Sequence, residues 1–187
     1  MEWEEAQENR PERIKEGEFR EWYFPIEEVL EWTRKFLEEE VGYKLQPSSY
    51  IGFVQPDFHA KRKTEKREYE VVGVGCQHYN EAVDGLAKLM ALKAVLGDSA
   101  DYVLVLPPVS EHLMLEFFRS EEGRWYFEIK RQEFMVWLCN PDEEFTCCIV
   151  GGPQDRLFEE YFLFGKMPLD MSLSMQLSGV SWDAEEY

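Results

Sequence analysis

Apolar residues between positions 25 and 41 recur at steps of three and four: Ile26, Val29, Leu30, Thr33, Leu37 and Val41. That spacing lines one face of an α-helix, with Glu27, Glu28, Glu31, Glu38 and Glu39 on the others. Pro25 suits the start of this helix and Gly42 its end. Beyond it the period shortens. The end of the stretch 43–54, with Tyr50, Ile51, Gly52, Phe53 and Val54, reads as a strand. From 57 to 63, Asp57, His59, Lys61 and Lys63 share one parity while Phe58 and Ala60 take the other, which predicts a strand with one wet face. Residues 64–67 form a charged turn. Residues 68–76 form a strand whose unbroken core, Val71-Val72-Gly73-Val74, predicts a central position covered on both faces.

A second helix is expected over 80–96, with Val83, Leu86, Ala87, Met90 and Ala94 as a broad apolar face and Gly97 as its stop. Residues 101–106 make a short buried strand ended by Pro107-Pro108. Ser110 caps an expected helix containing Leu113, Phe117 and Phe118. Residues 125–129 and 134–139 alternate as strands, 145–150 adds another, and 155–164 reads as a helix. A hairpin feeding a central strand, a crossover helix and a further strand imply an α/β fold, a central mixed β-sheet flanked by helices. The expected organisation is a charged arm over 1–24, one α/β domain over 25–167 with its core at 25–108, an α+β extension after that core, and a tail over 168–187.

Charge changes the picture of partners. The chain of 187 residues carries a net charge of −18, concentrated at −8 in residues 1–40 and −8 in residues 141–187. Such a field repels nucleic acid at long range and suits a protein partner or a homodimer. The apolar runs are too short to span a bilayer, and Met1-Glu2-Trp3-Glu4-Glu5 lacks the basic and apolar regions of a secretory leader, so a cytoplasmic protein with no membrane partner is expected. Cys76, Cys139, Cys147 and Cys148 have no zinc-binding spacing and read as thiols of a reducing compartment. Gly73-Val74-Gly75 lacks the third glycine of a dinucleotide-binding turn.

The constellation that points to chemistry is Pro56-Asp57, at the head of one strand, and Glu70 on the next. Hairpin strands lie about 4.8 Å apart, so carboxylates on one face can meet. Hard divalent cations such as Mg²⁺ take oxygen ligands of this kind, and the metal then activates water against a phosphate. The other reading makes Asp57 a turn residue after proline and Glu70 an edge carboxylate paired with Arg67 or Lys61.

Over about residues 25–107, the pattern resembles the PD-(D/E)XK nuclease superfamily, the restriction-endonuclease-like fold. The resemblance implies an αβββαβ core, magnesium-dependent phosphodiester cleavage, and a site made of an Asp and a Glu-x-Lys. It places Asp57 as the Pro-Asp aspartate and Glu70 as the glutamate, both Mg²⁺ ligands, with Glu28 or Glu31 where many members carry a helix glutamate. The lysine position, two residues after Glu70, holds Val72. A lysine recruited from the following helix would be Lys88, or second Lys93, and His59 is a further polar neighbour of Asp57. Two functions follow: a metal-dependent nuclease of this type, active or degenerate, or a non-catalytic protein–protein interaction module on the same scaffold.

Overall fold

The computed structural model describes residues 25–77, 81–107, 124–141 and 145–161. Helix α1, Ile26–Lys35, starts on the Pro25 carbonyl, which accepts from Glu28 and Val29, and widens into a π-helical stretch at Phe36–Val41. Gly42, at φ +82°, ends it in the left-handed conformation that favours glycine. Strand β1 is only Lys44–Leu45. Strands β2, Phe58–Lys63, and β3, Glu68–Gly75, form the antiparallel hairpin that the alternation predicts. Helix α2, Ala82–Leu96, then crosses over to β4, Ala100–Leu106, which lies parallel to β3. Helix α3, Arg124–Arg131, precedes β5, Met135–Asn140, parallel to β4; β6, Phe145–Val150, returns antiparallel. The six strands lie side by side in chain order, and the elements up to β4 run αβββαβ.

The pleat sends alternate residues into two cores. On one face Val72, Val74, Tyr102, Leu104 and Leu138 pack under Leu86, Leu89 and Leu92 of α2 and Ile129 of α3. On the other, Val71, Val103, Val105 and Trp137 pack under Val29, Leu30 and Leu37 of the first helix. All seven residues of β4 are buried, as are Val71–Val74 of β3, so the unbroken apolar runs mark the strands covered on both faces.

Three expectations need correction. Residues 125–129 are not a strand but part of α3: β4 and β5 are parallel, and a parallel pair needs a long crossover, which a helix supplies. Ile51 to Val54 is not a strand end but a tight turn closed by a two-way backbone bridge between these residues. The expected helix at 155–164 is, within the described residues, a short 3-10 helix at Arg156–Glu160, begun by Asp155, whose side chain accepts from Leu157 N–H. The expected helix around Leu113 and the tail alternation lie outside the described residues.

Candidate functional site

The end of the sheet at which β3 and β4 finish is where open α/β sheets place their ligands. Asp57 sits there, half-buried, immediately before β2. Its N–H donates to Gly73 O at 2.9 Å, and its Oδ2 accepts from Gly75 N–H at 2.8 Å. Its carbonyl accepts from Nε and Nη2 of Arg34, at 3.2 and 2.7 Å, which ties α1 to the hairpin. Nearby, Gln77 Oε1 accepts from Ile26 N–H at 2.7 Å and so caps α1. A cleft of about 170 Å³ opens beside Asp57, lined by Arg34, Pro47, Ser49, Pro56, Phe58 and His59 among others.

Asp57 and Glu70 lie on neighbouring strands and share a parity, but the register keeps them apart. Glu70 stands opposite Lys61, and Asp57 lies four residues from Lys61, about 13 Å along the strand. Glu70 Oε1 is 2.5 Å from His59 Nε2 and 3.9 Å from Lys61 Nζ, so it belongs to a cross-strand polar group at mid-hairpin. Of the other candidates, Lys88 and Glu31 are exposed on their helices and Glu28 is half-buried. Lys93 donates to Gln132 O at 2.7 Å, pairs with Asp98 at 3.5 Å and lies over the Phe134 ring. Among the described residues, no three His, Cys, Asp or Glu side chains gather in a metal-holding group.

The residues of β3 that do lie beside Asp57 are Val72, Gly73, Val74 and Gly75. Val72 and Val74 point into the core under α2. The α1 side is filled: a Cβ on Gly73 would fall 1.9 Å from Phe58 Cζ, and one on Gly75 would fall 2.8 Å from Ile26 Cγ1 and 3.0 Å from Leu30 Cδ1. The Phe58 ring is buried and stacks on Trp137 at 6.2 Å between centroids. Next along, burial pushes the Cys76 thiol up to about 12, with the charge of Glu81 adding to it. A thiol kept neutral by burial is a weak nucleophile at neutral pH. The residues present therefore do not fit an Mg²⁺ centre built on Asp57 and Glu70: one carboxylate already caps the strand end, and the other sits elsewhere in an ion-pair group.

The opposite end of the sheet holds a polar cluster the sequence reading missed. Asp155, 1% exposed, takes two bonds from Arg62, at 2.7 and 2.6 Å, and one from Tyr43 OH at 2.8 Å. Burial pushes the Asp155 carboxyl up, but the bonds from Arg62, Tyr43 and Leu157 outweigh it and hold it below the usual carboxylate range. Asp101 accepts from Gln154 N–H at 3.0 and 3.2 Å. Burial raises Asp101 to about 6, against the backbone N–H groups of Gln154 and Asp155. A signal for Arg62 existed: it shares the parity of buried Phe58 and Ala60, so its charge faces the core and needs a buried partner.

These two carboxyls predict a stability profile. Asp101 has a folded pKa above its unfolded value, so its ionisation costs stability above about pH 6, and that cost disappears as pH falls toward 4. Asp155 is shifted the other way, so its contribution is present above the ordinary carboxylate range and is lost as pH falls below it. Denaturant melts should therefore strengthen from pH 7 to about 4, on the order of 2 kcal/mol from Asp101, and weaken below that. Asp101→Asn should lose the first change and keep the second.

The fold is that of an α/β protein with a mixed six-stranded sheet flanked by helices, and its elements up to β4 follow the order αβββαβ. No family model matches the sequence, and no curated protein matches it. A solved XisH family protein from Nostoc punctiforme PCC 73102 is similar in structure, with a TM-score of 0.41 and 14% identity over 64% of this chain and 95% of that chain. A likeness at this level transfers neither residues nor activity. No helix among the described residues is long and apolar enough to cross a membrane.

Proposed function

We propose that this chain is a non-catalytic protein–protein interaction module built on a restriction-endonuclease-like scaffold. One observation carries the reading. Where a Glu-x-Lys beside Asp57 would have to stand, β3 has Val72-Gly73-Val74-Gly75, and Phe58, Ile26 and Leu30 fill the space that side chains on the two glycines would occupy. Asp57 is left to cap the strand end through Gly75 N–H. The net charge of −18 agrees with this reading, because it opposes approach of a polyanion.

The competing nuclease reading has its own support in the Asp57 cleft, which His59 also lines, with Glu70 bonded behind that histidine. Incubation with single- and double-stranded DNA and RNA, with Mg²⁺ or Mn²⁺, separates the two. The expected result is no cleavage above the level of an Asp57→Ala, Glu70→Gln double variant. Cleavage that needs the metal and disappears in that variant would overturn the proposal.

A further inference from the structure

The cleft beside Asp57 holds a fixed cation without a counter-ion. Arg34 lines it, and its guanidinium is pinned along one edge: Nε and Nη2 both donate to Asp57 O, at 3.2 and 2.7 Å. A carbonyl is a neutral acceptor, so the charge is oriented but not compensated. Glu31 and Glu38 lie one turn away on either side along the helix, yet Arg34 makes no ion pair with any described residue. Leaving a half-buried charge unpaired costs stability. The other edge, Nη1 and Nη2, keeps its remaining N–H groups in the fork that matches a carboxylate.

The rest of the wall selects among anions. No charged residue stands between Gln46 and Pro56, in a chain that is 31% charged. Leu45, Pro47 and Pro56 give the cleft an apolar side. The Ser48 hydroxyl accepts from Gln55 Nε2, which leaves its O–H to donate. Asp57 also lines the cleft; its Oδ2 is taken by Gly75 N–H, and its charge opposes a second negative charge on any ligand. His59 is occupied with Glu70. The volume of about 170 Å³ suits one small body, since cavities of about 150 Å³ take a single benzene-sized molecule. We infer that this cleft binds a small monocarboxylic acid with an apolar body of about benzene size, its carboxylate on the open edge of Arg34 and its body against Leu45, Pro47 and Pro56. A phosphate brings more charge and no apolar body, so it fits less well. The inference goes beyond the interaction reading and holds whether or not a partner protein docks elsewhere on the chain.

Calorimetric titration of the full chain with sodium benzoate tests it. The expected result is one saturable site with a dissociation constant below about 1 mM. Acetate, which lacks the apolar body, should bind at least about tenfold more weakly, and inorganic phosphate more weakly than benzoate. A tetraglutamate peptide offers the carboxylate as a partner protein would, and it is expected to bind no more tightly than acetate. Arg34→Lys keeps the charge but loses the fork, so it should weaken benzoate at least about tenfold. Ser48→Ala removes the second donor from an exposed residue and should weaken benzoate several-fold. It is the second variant should Arg34→Lys fail to fold, and melting curves report folding of each. A wild-type chain with no saturable benzoate binding would overturn the inference, as would phosphate or the peptide binding more tightly than benzoate, or a benzoate affinity that the folded variant leaves unchanged.

Discussion

Gly73→Ala is expected to be among the most damaging single substitutions in the chain, costing about 3 kcal/mol or more, through overpacking alone. The added Cβ would lie within 2.1 Å of two Phe58 ring carbons, and the ring cannot retreat because Trp137 is stacked behind it. The neighbours are ring atoms in a closed core rather than the end of a flexible chain, so the backbone of β3 or the whole ring must shift. Phe58→Leu alone leaves a void and should cost about 2 kcal/mol. Combined with Gly73→Ala, the smaller side chain admits the methyl group, and the double variant should be more stable than the sum of the two losses predicts. Denaturant melts of the four proteins give the coupling directly. Additive losses would mean that the ring does not occupy the space beside Gly73.

Asp155→Ala is the second large effect. It strands Arg62 and the Tyr43 hydroxyl, both of which donate to that carboxylate, and it removes the cap on Leu157. Removing one member of a buried, hydrogen-bonded pair costs about 3–5 kcal/mol, because the charge left behind has no partner and little water. Phe158, fully buried between Tyr43 and Trp137, is held in place by this cluster, so loosening it opens the aromatic core under α1. Arg62→Met combined with Asp155→Leu removes both charges and should cost clearly less than Asp155→Ala alone. Chemical denaturation monitored by tryptophan fluorescence measures each variant, since Trp137 lies in the affected core.

Much of the fold was legible in the sequence because burial on two faces leaves an unambiguous mark. Val71–Val74 and Tyr102–Leu106 are near-continuous apolar runs, and both are central strands. The first helix was marked by its three- and four-residue steps and by Gly42. Residues 125–129 misled because apolar residues at 125, 127 and 129 fit an alternating strand while 125 and 129 also fit one helical face; only the parallel pairing of β4 and β5, a long-range fact, decides between them. Residues 51–54 misled because a tight turn and a strand end use the same apolar residues, and the return bond within four residues is invisible in composition.

The candidate site shows the same limit. Sequence alone placed Asp57 and Glu70 on adjacent antiparallel strands, which the hairpin has, but hairpin register sets who faces whom. With Lys63 opposite Glu68, Glu70 falls opposite Lys61 and the Asp57 end meets Gly73 and Gly75. The alternating glycines did announce close packing, but the sequence could not show that Phe58 and Ile26 are the residues that pack there.

The proposed interaction module requires that Asp57 cap the strand end through Gly75 N–H rather than hold a metal ion. Calorimetric titration of the full chain with Mn²⁺ and Mg²⁺, wild type against Asp57→Asn, tests it most directly. The account predicts no saturable one-site binding that depends on Asp57, and a lower melting temperature for the variant, because an amide replaces the carboxylate that accepts from Gly75 N–H. Stoichiometric binding in the wild type that disappears in a folded Asp57→Asn protein would contradict it.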